Sequence, residues 1–491
     1  MESELIQQLR AWNPWWENGR EGINRYEIPA FKREIYQQVK TQFENGKQIV
    51  SIVGMRQIGK STLMRQLIKD LLDKGTPPQS IFYMSFDDPF LETENHNSTI
   101  DLLENVVSTY TKFILNKSLE QIKGPIYFFF DEIHQLPEWD KKLKTFYDRA
   151  YPIKYLISGS SSLHLQKHNR ESLLGRISEF TLWPFSFREF LQFKTHENER
   201  IQRLLETAKE SYEKFLGTLD IASNIPVIKE IFQEANVWEK DTIISYLKQY
   251  LIVGGFPRAW EENLDFAARQ RTIWEQHILK VLFEDLVQVA NIRKPKELSL
   301  LFMQIVQWNG NEFRLRDLRA RLGIHTITLE KYLHYFIKTF LIFRIDKTKS
   351  KRLEIKRKAG NVKFYVSDIA FKNALYKRDE TIFEDPEAMG TIAENLVCSL
   401  IQRWITGPYN EDSIQFYKDN AGEVDFIVKQ PQKVIPIEVK WREQIQKPKT
   451  LEKIVKKWNL QESILVTKNN ELDYNANGQL SIPLWFFLMT F

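Results

Sequence analysis

The sequence predicts an α/β protein whose first half is a parallel sheet with helices on both faces. Short apolar runs alternate with helical patterns over residues 48–183, helical patterns alone fill residues 186–290, and strand patterns return after residue 340. Strands that are separated by helical segments are typical of parallel sheets. The five apolar runs of the first half are Ile49–Val53, Ile81–Phe86, Ile126–Phe130, Tyr155–Ser158 and Phe180–Leu182.

Length and composition indicate a protein with several domains and an ordinary core. The chain has 491 residues, 43% of them hydrophobic and 27% charged, which predicts about three domains. The net charge of +5 is too small to indicate nucleic-acid binding by itself. The single cysteine, Cys398, lies in an apolar stretch and excludes a disulfide framework or a cysteine-based zinc site.

The two ends of the chain carry no membrane signal. The N-terminal residues lack the pattern of a signal peptide. The longest uncharged apolar stretch, Ile482–Phe491, is too short to span a membrane. We therefore expect a cytoplasmic protein without membrane association, and we interpret Ile482–Phe491 as a terminal strand.

A nucleotide-binding motif follows the first apolar run. The segment Gly54–Ser61 reads GMRQIGKS and matches GxxxxGK[ST] between a strand pattern and a helix pattern. Glycines let the backbone N–H groups converge on phosphate oxygens, while the lysine reaches the terminal phosphates and Ser61 ligates Mg²⁺. The motif predicts that ATP and Mg²⁺ bind here. The expected contact residues are Gly54, Met55, Arg56, Gln57, Ile58, Gly59, Lys60, Ser61 and Thr62.

Two acids end the third apolar run. Asp131 and Glu132 follow Ile126–Phe130 directly, and the carboxyl ends of parallel strands border the crevice where ligands bind. We expect Asp131 to hold Mg²⁺ and Glu132 to polarise the attacking water. Ser160 or Ser158, at the end of the next run, is the candidate for sensing the γ-phosphate; an ordinary Ser/Gly turn is the alternative.

The segments GMRQIGKSTL, FFFDEIHQL, LISGSSSLHL and LLGRISEFTLWPFSFREFL together resemble the AAA+-related P-loop ATPases of bacteria and archaea. In these proteins an AAA domain precedes a winged helix and a DUF4143-type domain. The resemblance implies that Arg176 is an arginine finger that completes the site of a neighbouring copy, hence a homo-oligomer. It also implies that Arg258, after a Gly-Gly-Phe-Pro turn, contacts the γ-phosphate.

A middle segment predicts a winged helix. Three helical patterns, Glu297–Trp308, Leu315–Leu322 and Thr326–Thr339, precede two strand patterns, Leu341–Asp346 and Asn361–Ser367. A basic stretch between the strands suits a DNA backbone. The alternatives are a merely solvated hairpin and a module that contacts protein. The candidate DNA-binding residues are Lys347, Lys349, Lys351, Arg352, Lys356, Arg357 and Lys358.

A hairpin near the C-terminus carries a second candidate site. Pairing across a turn at residues 431–432 places Asp425 opposite Glu438, and Glu438 and Lys440 share one face of their strand. Adjacent carboxylates attract a divalent cation, whose bound water attacks phosphodiesters. Together with Glu394 on a preceding helix, the pattern resembles the PD-(D/E)XK nucleases, although Val424 replaces the proline. A solvated Glu–Lys pair, or a fold that no longer cleaves, is the alternative.

These observations favour an enzyme that hydrolyses ATP, acts on DNA and carries a metal-dependent nuclease-like domain. One alternative is a nucleotide-dependent switch that recruits a protein partner, and another is an ATP-gated nuclease. The predicted fold is a P-loop parallel sheet with a helical lid, then a winged helix and an α/β restriction-endonuclease-like domain. The predicted boundaries are 1–47 for an N-terminal extension, 48–185 for the ATPase core, 186–295 for the lid, 296–377 for the winged helix and 378–491 for the last domain.

Overall fold

The computed structural model divides the chain into two compact units, Met1–Trp183 and Pro184–Phe491, here called the first and the second unit. It describes residues 2–89, 91, 102–159, 173–261, 264–287, 292–352, 361–405, 413–420, 422–430, 433–442 and 449–491. Among these residues, no helix combines the length and apolar character that a membrane crossing requires.

The first unit contains the predicted parallel sheet. Its strands lie in the order β2-β3-β4-β1-β5, and all neighbouring pairs are parallel. The apolar runs therefore predicted the strands correctly, although β5 begins three residues earlier than its run. The strands are β1 (Ile49–Val53), β2 (Ile81–Ser85), β3 (Ile126–Asp131), β4 (Ile153–Gly159) and β5 (Ile177–Thr181).

The helices of the first unit alternate with these strands, which gives the α/β pattern. They are α1 (Glu2–Trp12), α2 (Trp15–Asn18), α3 (Tyr36–Asn45), α4 (Lys60–Asp73), α5 (Leu102–Tyr110) and α6 (Trp139–Asp148). Side chains on β1 and β2 are buried along the whole strand because helices that cover both faces leave no strand face in water.

The N-terminal segment covers the free edge of this sheet at β2. The Asn13 side chain accepts a hydrogen bond from Tyr83 N (2.7 Å) and donates one to Tyr83 O (2.8 Å). The indoles of Trp15 and Trp16 both donate to Ile81 O. An uncovered edge strand invites pairing with other chains. Side chains of the N-terminal segment thus satisfy backbone groups of β2 that a neighbouring strand would otherwise pair with.

The second unit begins with helices. These are α7 (Phe187–Lys194), α8 (Glu199–Thr218), α9 (Ile221–Glu234), α10 (Val237–Val253) and α11 (Phe266–Thr272). Two π-helical segments, Ile273–Leu279 and Val281–Asp285, follow α11. Between α10 and α11 the turn Gly254–Phe256 is held by Asp368, whose carboxylate accepts a hydrogen bond from Gly255 N at 2.8 Å.

The middle segment has the predicted order of helices and strands, with one short additional strand. Its elements are α12 (Pro295–Gln307), β6 (Glu312–Arg314), α13 (Leu315–Leu322), α14 (Thr326–Lys338), β7 (Ile342–Thr348) and β8 (Asn361–Val366). β8 pairs antiparallel with both β6 and β7. We call this segment, residues 295–366, the middle module.

The remaining elements complete a sheet of nine strands in the order β13-β14-β12-β11-β10-β9-β7-β8-β6. β7 pairs in parallel with β9, so the strands of the middle module and those after residue 413 belong to one sheet. The elements are α15 (Ala370–Tyr376), α16 (Pro386–Ile401), β9 (Ile414–Asp419), β10 (Gly422–Gln430), β11 (Lys433–Lys440), α17 (Lys449–Trp458), β12 (Ser463–Thr467), β13 (Asp473–Tyr474), β14 (Gln479–Pro483) and α18 (Leu484–Thr490).

The prediction of a terminal strand over Ile482–Phe491 was wrong for most of its length. Strand β14 ends at Pro483, and Leu484–Thr490 is the helix α18 with every side chain buried. A helix that is apolar on all sides is a core helix. A short apolar run has neither the period of a strand nor that of an amphipathic helix, so sequence periodicity could not separate the two.

Replacing Asn13 with Ala tests the cover over the β2 edge. The change leaves the buried N–H and C=O groups of Tyr83 without partners, and each such group costs about 1–3 kcal/mol. We expect the free energy of unfolding of the first unit to fall by roughly 2–4 kcal/mol, measured by chemical denaturation of the full chain. The control, Asn18→Ala, alters an exposed asparagine of the same segment; equal stability losses in the two variants would contradict the role of Asn13.

Candidate functional site

The loop Gly54–Gly59 joins β1 to α4, and its backbone explains its glycines. Gly54 has φ of 156°, and a Cβ at this position would collide with the carbonyl oxygen of Leu182. Gly59 has φ of 97° and caps α4, while Gln57 adopts a left-handed φ of 57°. A loop that alternates between right- and left-handed residues makes a concave row of N–H groups that binds anions.

Lys60, the first residue of α4, turns back towards this loop. It is 4% exposed, and its Nζ donates to Met55 O at 2.9 Å. Its Nζ also lies 3.5 Å from Oε1 of Glu132. The cation therefore sits between the loop and the acids that end β3, where a phosphate chain held by the loop would meet it.

Arg33 braces the loop from the N-terminal segment, and sequence reasoning missed it. Its guanidinium donates to Ile58 O (2.9 Å) and to Trp183 O (2.7 Å). Both acceptors are backbone carbonyls, so neither has a sequence signal, and Arg33 itself precedes the motif by more than twenty residues. Only the folded chain brings the three positions together.

Asp131 is the centre of a hydrogen-bonded group. Its carboxylate accepts hydrogen bonds from Ser158 at the end of β4 and from Tyr83 of β2 (2.9 Å). Burial raises the pKa of Asp131, as does the charge of Glu132, while the hydroxyls of Ser158, Ser61 and Tyr83 act against that rise. The structure thus links the acid of β3 to both neighbouring strands.

Glu132 follows with an uncommon backbone conformation. Its φ is 49°, in the left-handed region, which costs of order 1 kcal/mol in a residue with a side chain. The turn places its carboxylate 3.5 Å from Lys60 Nζ and 3.3 Å from Nδ1 of His134. Burial lowers the pKa of His134, so the imidazole is neutral at pH 7 and leaves the charge on Glu132.

The other predicted nucleotide-site residues are placed as follows. Ser158 is buried. Its hydroxyl donates a hydrogen bond to Asp131 and accepts one from Glu132 N (3.0 Å). Ser160 lies outside the described residues. Arg176 precedes β5, and its carbonyl accepts a hydrogen bond from Ile49 N at the start of β1, so it lies at the opposite end of β1 from the loop. Its guanidinium pairs with Asp148 at 2.8 Å.

Arg258 belongs to the second unit. It lies on the 3-10 turn Pro257–Trp260, half exposed, with its guanidinium 3.8 Å from a carboxylate oxygen of Glu261. The remaining residues of the motif, Met55, Arg56, Ile58 and Thr62, lie in the loop or in the first turn of α4. Met55 and Ile58 are buried and anchor the loop in the core.

The second candidate site assembles at the hairpin of β10 and β11. Phe426 pairs with Ile437, the register that the sequence predicted for Asp425 and Glu438. Asp425 accepts a hydrogen bond from Val439 N (2.8 Å), and Glu438 pairs with Lys440 (2.6 Å). Burial raises the pKa of Glu394 on α16 to about 8, and the nearby charge of Asp425 contributes to that rise.

The arrangement nevertheless differs from the predicted metal site. Among the described residues, no group of three His, Cys, Asp or Glu side chains is placed to hold a metal ion. Instead Lys363 of β8 enters the cluster: its Nζ pairs with Glu423 and lies 3.8 Å from Oε2 of Glu394. Sequence reasoning missed Lys363. The alternating pattern of a strand indicates which side chains point inward, but not which residues they contact.

The predicted DNA-binding residues are only partly described. Lys356, Arg357 and Lys358 lie outside the described residues. Lys349 and Arg352 are exposed. Lys347 is 3.5 Å from Glu312, and Lys351 donates to Trp458 O (3.2 Å). Two of the described cations are therefore used inside the fold, since the base of the hairpin is attached to the rest of the second unit.

Sequence families match three parts of the chain. Residues 46–191 match the family AAA_14, described as an AAA domain. Residues 244–381 match the domain of unknown function DUF8612, and residues 389–487 match the domain of unknown function DUF4143. The chain carries an AAA domain and a DUF4143 domain. The AAA domain holds the loop, Asp131 and Glu132, and it supports nucleotide binding and hydrolysis.

Two curated relatives match over most of their length. An uncharacterized protein of Methanocaldococcus jannaschii is 25% identical over 387 residues, which are 77% of this chain and 71% of the relative. An uncharacterized protein of Haemophilus influenzae is 24% identical over 412 residues, which are 83% of this chain and 86% of the relative. The similarity thus extends beyond the AAA domain into the second unit.

Two solved structures with similar chains were found. PCH-2 of C. elegans is 16% identical, with a TM-score of 0.22 and coverage of 41% of this chain and 51%, about half, of PCH-2. A DNA replication initiation factor is 11% identical, with a TM-score of 0.24 and coverage of 63% of this chain and 85% of that one. The strand order and the loop geometry described above carry the fold assignment.

Replacing Ser158 with Ala tests the support of Asp131. Losing this donor destabilises the charged carboxylate, so the pKa of Asp131 rises further above its ordinary value. We expect the acidic limb of the pH profile of ATP hydrolysis to move to higher pH, because Asp131 must be ionised. We also expect kcat/KM at neutral pH to fall roughly tenfold, which corresponds to one hydrogen bond to a charged group.

The matched control is Ser51→Ala. Ser51 is a buried serine of β1 whose Oγ has no hydrogen-bond partner among the described residues, so the pH profile should not move. A pH profile for Ser158→Ala that superimposes on that of Ser51→Ala would show that Ser158 does not tune Asp131.

Proposed function

We propose that the protein is a Mg²⁺-dependent ATPase that acts on DNA. The ion pair of Lys60, at the phosphate-binding loop, with Glu132 at the end of β3 carries the first part, because it brings the loop next to the acids, and the Ser61 hydroxyl also acts to lower the pKa of Asp131. Ser61 and Asp131, the latter mostly through water, would hold Mg²⁺, whose charge offsets that of the phosphates. Lys60 binds the terminal phosphates.

The pair between Lys60 and Glu132 supports a role for Glu132 in hydrolysis. Their atoms lie 3.5 Å apart, and a triphosphate competes with Glu132 for the lysine. A nucleotide that binds Lys60 therefore frees the Glu132 carboxylate to accept a proton or hydrogen bond from the attacking water. His134, neutral and 3.3 Å away, keeps this carboxylate oriented.

The position of Arg176 supports action between copies of the chain. It lies at the end of β1 that is opposite to the loop, where its carbonyl accepts a hydrogen bond from Ile49 N. In this proposal Arg176 leaves Asp148 and acts at the ATP site of a neighbouring copy. An arginine supplied in this way neutralises charge in the transition state of phosphoryl transfer. We include a homo-oligomer in the proposal.

The DNA part of the proposal is supported by the helices of the middle module, which have the order of a winged helix. Four arginines in and next to α13 are exposed, and Arg316 and Arg319 are three positions apart on one face. Basic side chains beside a second helix suit phosphate contacts along a duplex. These arginines are Arg314, Arg316, Arg319 and Arg321.

Replacing Lys60 with Ala and Glu132 with Gln separates binding from turnover. Without Lys60 the phosphates lose their cation, so nucleotide affinity should be lost in a binding assay with a fluorescent ATP analogue. Glu132→Gln should retain that affinity, yet kcat should fall roughly 100-fold or more because no base is left to orient the water.

The control for the second variant is Glu138→Gln, which changes an exposed acid shortly after Glu132. Normal turnover in Glu132→Gln would exclude Glu132 as the residue that positions the water. Arg176→Ala should retain nucleotide binding and lose turnover; full turnover in that variant would remove the arginine-finger role.

Replacing Arg314 and Arg316 together with Gln tests the DNA surface. Each lost phosphate contact weakens binding and lowers the dependence of log affinity on log salt by about one. We expect the double variant to lose about two in this slope for duplex DNA, measured by fluorescence anisotropy over a salt series. ATP hydrolysis without DNA should be unchanged because these side chains lie in the second unit.

Two further double variants make this test specific. Lys349→Gln with Arg352→Gln removes the exposed cations of the hairpin and shows whether they share in binding. Arg203→Gln with Lys229→Gln removes two exposed cations on α8 and α9 and should have no effect. If the wild-type protein shows no salt-dependent binding to duplex, forked or single-stranded DNA, the DNA part of the proposal is wrong.

One observation favours a second candidate function, a nucleotide-dependent switch that recruits a protein. Ile327, in the first turn of α14, is 84% exposed, and an aliphatic side chain in that position fits a protein surface better than a phosphate backbone. This candidate predicts that Ile327→Ser changes the function of the protein while Arg314→Gln with Arg316→Gln does not. We propose no strand cleavage, because no group of three His, Cys, Asp or Glu side chains among the described residues is placed to hold a metal ion.

A further inference from the structure

Several carboxylates of the second unit lie close together, and two of them are almost completely buried. Asp425 and Glu438 are 6% and 3% exposed, and the charge of Asp425 acts on both Glu438 and Glu394. Buried carboxylates repel one another and are costly unless a positive charge lies among them. The cluster is therefore stable only if a positive charge lies among the acids or one of them takes up a proton, as the raised pKa of Glu394 indicates.

Lys363 supplies that charge. Its side chain is 4% exposed, and its Nζ forms an ion pair with Glu423 and lies 3.8 Å from Glu394. Its Nζ is also 3.5 Å from the Tyr365 hydroxyl, which donates to Glu394 at 3.1 Å. Burial would lower the pKa of Lys363, but the carboxylates of Glu394, Asp425 and Glu423 raise it, so the ammonium group stays charged.

The other charges of the cluster are also neutralised within the chain. Lys440 pairs with Glu438 at 2.6 Å. Lys418 pairs with Glu423 and with Glu312, both at 2.9 Å. A magnesium ion would need one or two of these carboxylates as ligands at about 2 Å, and it would lie beside a buried ammonium group of like charge. The donor set therefore does not fit Mg²⁺.

We propose that the Lys363 ammonium group occupies the cation position of this cluster. In the nuclease-like site of the DUF4143 domain, this side chain then takes the place of a metal ion. Lys363 lies on β8, whereas Glu423 and Asp425 lie on β10 and Glu394 on α16. The cluster thus joins the middle module to the C-terminal strands, across a sheet that already runs through both. It fastens two parts of the chain and does not activate water.

Mn²⁺ titration of the full-length protein without nucleotide tests this inference, with free Mn²⁺ measured by electron paramagnetic resonance. Wild type, Asp425→Asn and Glu438→Gln should bind equal amounts of Mn²⁺, because the cluster holds none. Lys363→Met removes the internal cation and should gain one Mn²⁺ per chain, with a dissociation constant on the order of 10⁻⁴ M, typical of weak carboxylate sites. Lys363→Met with Asp425→Asn should lose that ion.

Two controls define the role of the charge. Lys418→Met removes a half-exposed lysine of the same cluster and should gain no ion, and Lys363→Arg should behave as wild type. Binding by wild type that Asp425→Asn or Glu438→Gln abolishes would overturn the inference. Such an ion would bind most readily at Oε2 of Glu438, because this atom is buried and has no hydrogen-bond partner among the described residues. Should Lys363→Met fail to fold, the comparison of wild type with these two variants remains decisive.

Discussion

A single buried carboxylate organises the first unit. Asp131 lies at the end of β3, where hydroxyls from β2 and β4 donate hydrogen bonds to its carboxylate and offset the cost of its burial. Those donors connect the acid strand to both of its neighbouring strands at one point. The order of the sheet makes this possible, since β4 lies between β1 and β3 and brings Ser158 to the space between the loop and the acids.

The N-terminal segment extends this organisation to the edge of the sheet. Asn13 satisfies both backbone groups of Tyr83, the residue whose hydroxyl supports Asp131. Arg33 holds a carbonyl of the loop itself. The segment that the sequence analysis predicted as an N-terminal extension therefore holds two parts of the candidate nucleotide site in place. We expect substitutions in it to affect ATP hydrolysis only by moving these parts.

The second unit meets the same constraint with a different cation. In sequence, its acids resemble those of a metal-dependent nuclease, but in the fold Lys363 brings an ammonium group from another strand among them. The pairing of Lys363 with Glu423 and Glu394 gives these acids a structural role in the second unit.

The sequence by itself determined the local features: the strands of the parallel sheet, the nucleotide loop with Asp131 and Glu132, and the register of the β10–β11 hairpin. These depend on periodicity, turn chemistry and spacing over a few residues. Tertiary structure alone decided the partners of the charges. Arg33 reaches the loop through backbone carbonyls, Lys363 enters the acid cluster from β8, and the run after Pro483 is a core helix because it is surrounded by apolar contacts. The free-energy cost of each charged side chain depends on its burial and on partners that are distant in the sequence. The order of residues along the chain does not show either of these.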